Sequence, residues 1–192
     1  NIFINFAESI NEIPTMKIDL NTILKEHFSE VFFDRDEFLL RAGDKEEYLY
    51  YLDTGIVRLF YDDSKTDMGR TLNFFFPRQF VCGYESFKKL LPSNVNIQAI
   101  EKVKAYRIHR EKFFSLLDND KTYMSVATEI LNELFINRIN KEMFRLSLSP
   151  EEKYKYLLKN EPHIIQTIPL KYIASYIGIT PQALSRIRKR IF

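Results

Sequence analysis

Short apolar runs rich in Phe, Tyr and Val alternate with turn residues between residues 31 and 108. The turns recur about every 8 to 12 positions, a spacing typical of an all-β sandwich or barrel. A polar stretch from 62 to 68 predicts the tip of a hairpin. The pattern predicts eight strands: Val31–Phe33, Glu37–Leu40, Tyr48–Asp53, Ile56–Tyr61, Arg70–Phe76, Gln79–Cys82, Val95–Ala99 and Val103–His109.

Helical spacing of apolar residues flanks this region on both sides. Residues 1 to about 30 are predicted to be helical, with Leu20, Leu24 and Phe28 on one face. A short helix is predicted at Lys112–Leu117 and a long one from Lys121 to Leu146. The apolar residues of the long helix follow two neighbouring lines, Ala127, Ile130, Leu134 and Phe144 in one, and Leu131, Phe135, Ile139 and Met143 in the other.

So wide an apolar arc on one helix needs two surfaces to cover it. We expect the β region of the same chain to cover one line. The other line is then covered by the same helix of a second subunit, in a parallel coiled coil about a two-fold axis. A monomer that buries both lines internally is the alternative. The sequence therefore predicts a homodimer.

The long helix is interrupted at residues 147–150. Ser149 is a good N-cap, Pro150 suits the first helical position, and Glu151 and Glu152 favour the first turn of a new helix. This helix is predicted to run to about Lys159, and residues 164–168 are predicted to be a connector. The interruption predicts a domain boundary, with one domain at 1–147 and a second at 148–192.

The last part of the chain reads IPLKYIASYIGITPQALSRIRKR. Two short helical patterns meet at Gly178, a residue type that ends helices because it tolerates a left-handed backbone. Thr180 is a good N-cap, and Pro181 is a good first helical residue. Predicted inward positions in the two helices are Leu170, Ile173, Ala174, Ile177, Leu184, Ile187 and Ile191, and predicted outward positions in the second helix are Gln182, Ser185, Arg186 and Lys189.

Charge is distributed unevenly along the chain. Residues 1–137 contain 17 Lys and Arg against 22 Asp and Glu, whereas residues 138–192 contain 11 against 4. No acidic residue occurs from Ile168 to Phe192. This asymmetry indicates that only the C-terminal part meets a polyanion.

Composition excludes several classes of protein. The single cysteine, Cys82, rules out an intramolecular disulfide and argues against a cysteine-bound metal site, which fits a reducing cytoplasm. No apolar run approaches the ~20 residues of a transmembrane helix, and the first residues do not resemble a secretory signal. No nucleophile–base pair, phosphate loop or metal-ligand spacing is visible, so we expect no enzymatic activity.

Two stretches carry a resemblance to a known superfamily. The stretch EFLLRAGDKEEYLYYLDTGIVRLFY resembles the opening of a cyclic-nucleotide-binding β-roll, and the two terminal helices resemble a helix-turn-helix. In this order they resemble the regulators of the cyclic-AMP receptor protein/FNR superfamily. The resemblance implies an α+β fold: an N-terminal β-roll (a double-stranded β-helix), a long dimerisation helix and an all-α, winged-helix-type domain whose wing we expect beyond Phe192.

The same resemblance implies a DNA-binding transcription regulator with double-stranded DNA and RNA polymerase as partners. Gln182, Ser185 and Arg186 would lie nearest base edges. Contacts with phosphates are expected from Thr180 and Lys189, alongside Lys171 or Arg190. The alternative is a small-molecule-binding or protein-interaction module whose helix-turn-helix does not engage DNA.

Cyclic-AMP binders of this superfamily hold the phosphate with a Gly-Glu element and an Arg-Ser element. Here Gly83 and Glu85 are not adjacent, and Pro92 precedes Ser93 where the Arg would stand. A buried phosphate without a guanidinium loses its bidentate partner, so cyclic AMP is not expected. An iron–sulfur cluster lacks cysteines, and haem lacks a suitable axial histidine. The site holds either no ligand or an unidentified small-molecule effector, for which the candidate residues are Gly83, Glu85, Ser86, Ser93 and Asn94.

Overall fold

The computed structural model describes residues 20–64 and 66–192. Within them the chain forms two compact units. The first, called here the β-roll unit, comprises residues 20–61 and Asn73–Ile130. The second, called here the helical unit, comprises Asp62–Leu72 and Leu131–Phe192. This division differs from the predicted boundary between residues 147 and 148, because residues 62–72 and 131–147 group with the C-terminal residues.

Strands of the β-roll unit form two four-stranded sheets, in the orders β1-β8-β3-β6 and β2-β7-β4-β5. Neighbouring strands pair antiparallel, as between β1 and β8, where Val31 faces Ala105. The strands are β1 (Ser29–Phe33), β2 (Phe38–Leu40), β3 (Tyr48–Thr54), β4 (Val57–Asp63), β5 (Thr66–Phe75), β6 (Phe80–Val81), β7 (Asn96–Ala99) and β8 (Val103–His109).

All eight predicted strands are present in the described residues, and most ends agree within about two positions. The exception is β5, which begins at Thr66 rather than at Arg70. The polar stretch 62–68 was predicted as a turn, but strand pairing uses backbone groups and does not require apolar side chains. The hairpin between β4 and β5 is therefore longer than predicted.

The core of the β-roll unit lies between the two sheets. Its most buried residues are fully inaccessible, and they come from strands of both sheets. Gly55 makes the turn before β4 at a φ of 85°, and a Cβ there would lie 2.4 Å from the Lys102 carbonyl oxygen. Only glycine fits this position. The fully buried core residues are Leu52, Val57, Ile97, Ala99, Val103 and Ala105.

Four helices belong wholly or partly to the β-roll unit. They are α1 (Leu20–His27), α2 (Tyr84–Lys89), α3 (Arg110–Asn119) and α4 (Lys121–Ser147), whose second half lies in the helical unit. The helix predicted for residues 1–19 lies outside the described residues. The long helix was predicted correctly to within a residue. None of the described helices combines the length and apolarity that crossing a bilayer requires.

The helical unit adds four helices to the end of α4. They are α5 (Pro150–Asn160), α6 (Pro162–Thr167), α7 (Leu170–Ile177) and α8 (Pro181–Ile191). Helix α5 begins with the predicted Ser149 cap, completed by the Glu152 side chain, which accepts the Ser149 N–H at 2.8 Å. Helix α6 corrects the predicted connector at 164–168. Pro162 starts this six-residue helix, and Ile164 is buried.

Candidate nucleic-acid interface

Helix α7 is the first helix of the candidate DNA-binding motif, and it is buried almost all round. All six residues from Tyr172 to Ile177 are buried, and Ile173 and Ala174 have no exposed surface. Leu170 is an exception to the predicted apolar face. Its side chain is 41% exposed, because it occupies the first position of the helix, before the buried turns. The helix is therefore a core element that leaves only its N-terminal residues, Leu170 and Lys171, exposed.

The turn after α7 has the predicted geometry. Gly178 adopts a left-handed conformation with a φ of 89°, and its N–H donates to the Ala174 carbonyl at 2.9 Å. Ile179 N–H donates to the same carbonyl, also at 2.9 Å. Thr180 caps α8, since its Oγ1 accepts the Ala183 N–H at 3.2 Å. These bonds close the first helix and start the second within three residues.

Helix α8 presents one polar face to solvent. Leu184 and Ile187 are buried, and they hold the opposite face against the unit. Arg188, between the two faces, is only partly exposed. The predicted division of this helix into an inner and an outer face is confirmed. Its exposed side chains include the three predicted base-reading candidates, Gln182, Ser185 and Arg186, and the predicted phosphate contact Lys189.

The remaining predicted phosphate contacts lie near this face with partners of their own. Lys171 is exposed, and its ammonium lies 4.8 Å from the ring centroid of Tyr172. Arg190 Nη2 lies 3.0 Å from Glu151 Oε2. An exposed ion pair contributes only about 0 to 1 kcal/mol, so a phosphate could replace Glu151 as the partner of Arg190 at little cost.

The predicted effector residues fall into two groups. Gly83, Ser86 and Ser93 are buried, the two serines being only 3% and 6% exposed. Glu85 and Asn94 are exposed, and Glu85 pairs with Lys89 at 2.9 Å. The structure therefore brings together three of the five candidates and leaves the other two at the surface.

Glu46 joins the buried group and was not predicted. Its carboxylate accepts the Gly83 N–H and the Tyr48 N–H, each at 3.2 Å, and its own N–H donates to Ser86 Oγ at 2.8 Å. Glu46 is 2% exposed, although it lies in the stretch DKEE, which reads as a solvated turn. A signal was present: Glu46 stands four residues before buried Tyr50, on the same side of an alternating strand pattern.

This cluster leaves little space beside Gly83. A Cβ at position 83 would lie 2.6 Å from Leu40 Cδ2 and 3.9 Å from Glu46 Oε2. A negatively charged ligand approaching the Gly83 amide would meet a carboxylate already bonded to it. In its ionised form, above its raised pKa of about 7, Glu46 would repel such an anion strongly, because like charges at short range in a buried site repel. The arrangement disfavours an anion at this amide.

Burial raises the pKa of Glu46 to about 7, against the opposing effect of its hydrogen bonds with the Gly83 and Tyr48 amides. Because the folded protein holds this proton more tightly than the unfolded chain, Glu46 makes folding less favourable as pH rises from about 4.5 to about 7. The expected loss is about 3 kcal/mol of unfolding free energy. Above that range the contribution of Glu46 stays constant.

We expect Glu46→Gln to flatten this pH dependence, since glutamine does not titrate. Urea unfolding at pH 5, 6, 7 and 8 measures it, and the slope with pH is compared rather than the absolute stability, because one amide oxygen cannot replace two carboxylate acceptors. Glu85→Gln, at an exposed ion pair, is the matched control and should retain the wild-type slope. Equal slopes for wild type and Glu46→Gln would contradict the prediction.

Comparison with known proteins adds to this picture. Residues 30–120 match the family model of the cyclic nucleotide-binding domain. No curated protein matches the chain. Among solved structures, FixK2 from Bradyrhizobium japonicum superposes with a TM-score of 0.68 at 17% identity, over 85% of this chain and 84% of that chain.

Two further structures extend the match. A double mutant of CooA from Carboxydothermus hydrogenoformans gives a TM-score of 0.69 at 15% identity, over 98% of this chain and 84% of that chain. The c-di-GMP-responsive global regulator CLP from Xanthomonas campestris gives 0.64 at 17% identity, over 90% and 91%. The fold thus defines the class: a β-roll joined by a long helix to a helix-turn-helix. The fold of the chain is similar to the folds of these three regulators, and residues 30–120 match the cyclic nucleotide-binding domain.

Proposed function

We propose that the chain is a homodimeric, sequence-specific DNA-binding transcription regulator that acts in the cytoplasm. The observation that carries this proposal is the face of α8. Gln182, Ser185 and Arg186 are exposed together, on a helix whose other side is fixed by buried Leu184 and Ile187. A short helix that is buried on one side and exposes polar side chains on the other suits the major groove.

The residues on this face divide into two roles. Gln182, Ser185 and Arg186 have the donors and acceptors that read base edges, and an arginine reads guanine with two hydrogen bonds. Thr180 and Lys189, with Lys171 or Arg190, would contact phosphates, which fix position but carry no sequence information. The absence of acidic residues from Ile168 to Phe192 supports this assignment, because no nearby carboxylate in that segment would repel the DNA backbone.

The long helix supports the homodimer. Leu131, Phe135, Ile139 and Met143 follow one line of α4 at intervals of four and are 40% to 67% exposed. Leu146 extends the line and is 77% exposed. We assign this line to a second copy of the chain, since a self-complementary apolar stripe along one long helix fits a two-fold axis. In the other predicted line, the side chains at 130 and 134 are not among those that the structure describes.

The two-fold symmetry of the proposed dimer determines the symmetry and spacing of the half-sites in its operator. Two copies of α8 related by a two-fold axis would enter successive major grooves, so the two half-sites should be about 34 to 36 Å apart and near-palindromic. RNA polymerase is the further partner that the resemblance implies. For the effector, the Glu46 carboxylate bound to the Gly83 amide supports the expectation that it is not cyclic AMP.

The test is selection of duplexes by the wild-type chain from a random library at low salt. We expect enrichment of a near-palindrome with half-sites one helical turn apart. Failure to retain any duplex would overturn the proposal and favour the alternative, a binding module whose helix-turn-helix does not engage DNA. Retention without enrichment of a sequence would remove the claim of specificity.

A further inference from the structure

Ser175, inside α7, is hydrogen-bonded to strand β5, in the part of the β4–β5 hairpin (Asp62–Leu72) that belongs to the helical unit and is called here the tip. The Thr71 N–H donates to Ser175 Oγ at 2.9 Å, and the Thr71 hydroxyl donates to the same oxygen at 3.1 Å. Ser175 Oγ in turn donates to the Gly69 carbonyl at 2.8 Å. A serine hydroxyl has one proton and two lone pairs, so its hydrogen-bonding capacity is fully used. We call this group, Gly69, Thr71 and Ser175, the clasp.

The clasp is buried, and its partners are distant in sequence. Thr71 is 1% exposed and Ser175 is 8% exposed. They are separated by 104 positions along the chain. Buried hydrogen bonds of this kind cannot be exchanged for bonds with water, so each group depends on the other. The contact lies within the helical unit, which includes Asp62–Leu72.

Two arginines secure the same hairpin tip. Arg70 lies over the turn of the helix-turn-helix, where a Cβ on Gly178 would be 2.9 Å from Arg70 Nη1. Arg145, near the end of α4, donates to the Leu72 carbonyl. The tip is thus attached to α4, to α7 and to the turn before α8.

We propose that Thr71 and Ser175 are positioning residues for DNA binding. By holding α7 in place they fix the short turn at Gly178, and this turn sets the orientation of α8, the helix assigned to the groove. The inference rests on the proposed function. Neither residue lies on the outer face of α8, and neither touches DNA in this assignment. Strands β4 and β5 connect the tip to the β-roll unit through the chain, and the clasp hydrogen-bonds the tip to the helix-turn-helix, so a second connection exists besides α4.

The experiment uses full-length variants and the duplex that the wild type selects from a random library. Ser175→Ala removes all three bonds and should weaken binding of this duplex about 2- to 30-fold, the range found for positions that couple to a site without contacting its ligand. Thr71→Val removes only the hydroxyl bond and should have a smaller effect in the same direction. Thr71→Ser keeps the hydroxyl and should bind like wild type.

Two further readouts separate positioning from simple structural support. The salt dependence of binding should be unchanged in Ser175→Ala, since no phosphate contact is lost. In the wild type, the exchange of the Thr71 amide with solvent should slow when the selected duplex is added, because DNA that holds α8 also stabilises the clasp. Exchange is measured by hydrogen–deuterium exchange with and without the duplex, so it does not depend on any variant folding.

The outcomes are distinct. A folded Ser175→Ala chain that binds the duplex like wild type, or a Thr71 amide whose exchange ignores the duplex, overturns the positioning role and leaves the proposed function intact. If Ser175→Ala fails to fold, two other measurements test the positioning role: the affinities of Thr71→Val and Thr71→Ser for the duplex, and the exchange of the Thr71 amide in the wild type. A wild type that binds no duplex overturns the proposed function and this inference with it.

Discussion

Arg186→Ala is expected to lower affinity for the selected duplex by about 30- to 20,000-fold. The reason is that a bidentate contact with a base contributes about 1 to 3 kcal/mol of discrimination, and a dimer loses two of them. Affinity for unrelated duplexes should fall far less, since phosphate contacts remain. Gel-shift titrations with the selected duplex and a scrambled one measure the ratio of the two affinities.

Lys189→Ala is the matched control on the same exposed face. Loss of a phosphate contact should weaken binding to both duplexes about equally and reduce the salt slope by about 1 for each contact removed. The two variants therefore separate sequence reading from backbone attraction. If both variants bind the selected duplex as the wild type does, the assignment of α8 to the groove is wrong.

Phe135→Glu is expected to dissociate the dimer. Phe135 is 67% exposed in the middle of the apolar line on α4. A buried phenylalanine contributes about 1.5 to 3 kcal/mol, and the two-fold axis doubles the loss, so the dimer should weaken by at least about 100-fold. Sedimentation equilibrium should show twice the 22.9 kDa chain mass for the wild type and the single chain for the variant.

Phe32→Glu provides the control for this experiment. Phe32 lies on β1 and is 56% exposed, so it tests a comparable phenylalanine away from the line on α4. We expect it to remain dimeric and to bind the selected duplex normally. A wild-type chain that stays monomeric at high concentration, or a Phe135→Glu chain that stays dimeric, would contradict the predicted interface.

Local periodicity accounts for what the sequence predicted well. The outer face of α8 follows from a 3.6-residue period, and the caps at Ser149 and Thr180 follow from residue types that bond their own backbone. Strands such as β3 and β8 follow from alternation of apolar residues between turns. Each of these signals is contained within about ten consecutive residues.

Features that depend on distant partners were missed. Glu46 reads as a solvated acid because the alternation towards Tyr50 indicates only its side of the strand, and its partners Gly83 and Ser86 lie 37 and 40 positions away. The residues before Arg70 read as a free hairpin tip, yet Gly69 is buried and its carbonyl accepts a hydrogen bond from Ser175 of α7. Polar side chains predict exposure only until another segment supplies their hydrogen bonds, and that segment can lie a hundred positions away.

The clasp also determines which residues would have to accompany this helix-turn-helix if it were grafted onto another β-roll. Judged by sequence, residues 148–192 form a transferable cassette, since the Ser149 helix cap marks their start and the whole helix-turn-helix follows. Grafted onto a foreign β-roll, however, this cassette would leave the Ser175 hydroxyl facing an unmatched surface and Gly178 without the arginine that covers it. A working chimaera would have to transplant residues 62–72 together with the cassette, so the portable module is encoded in two separate stretches of the gene.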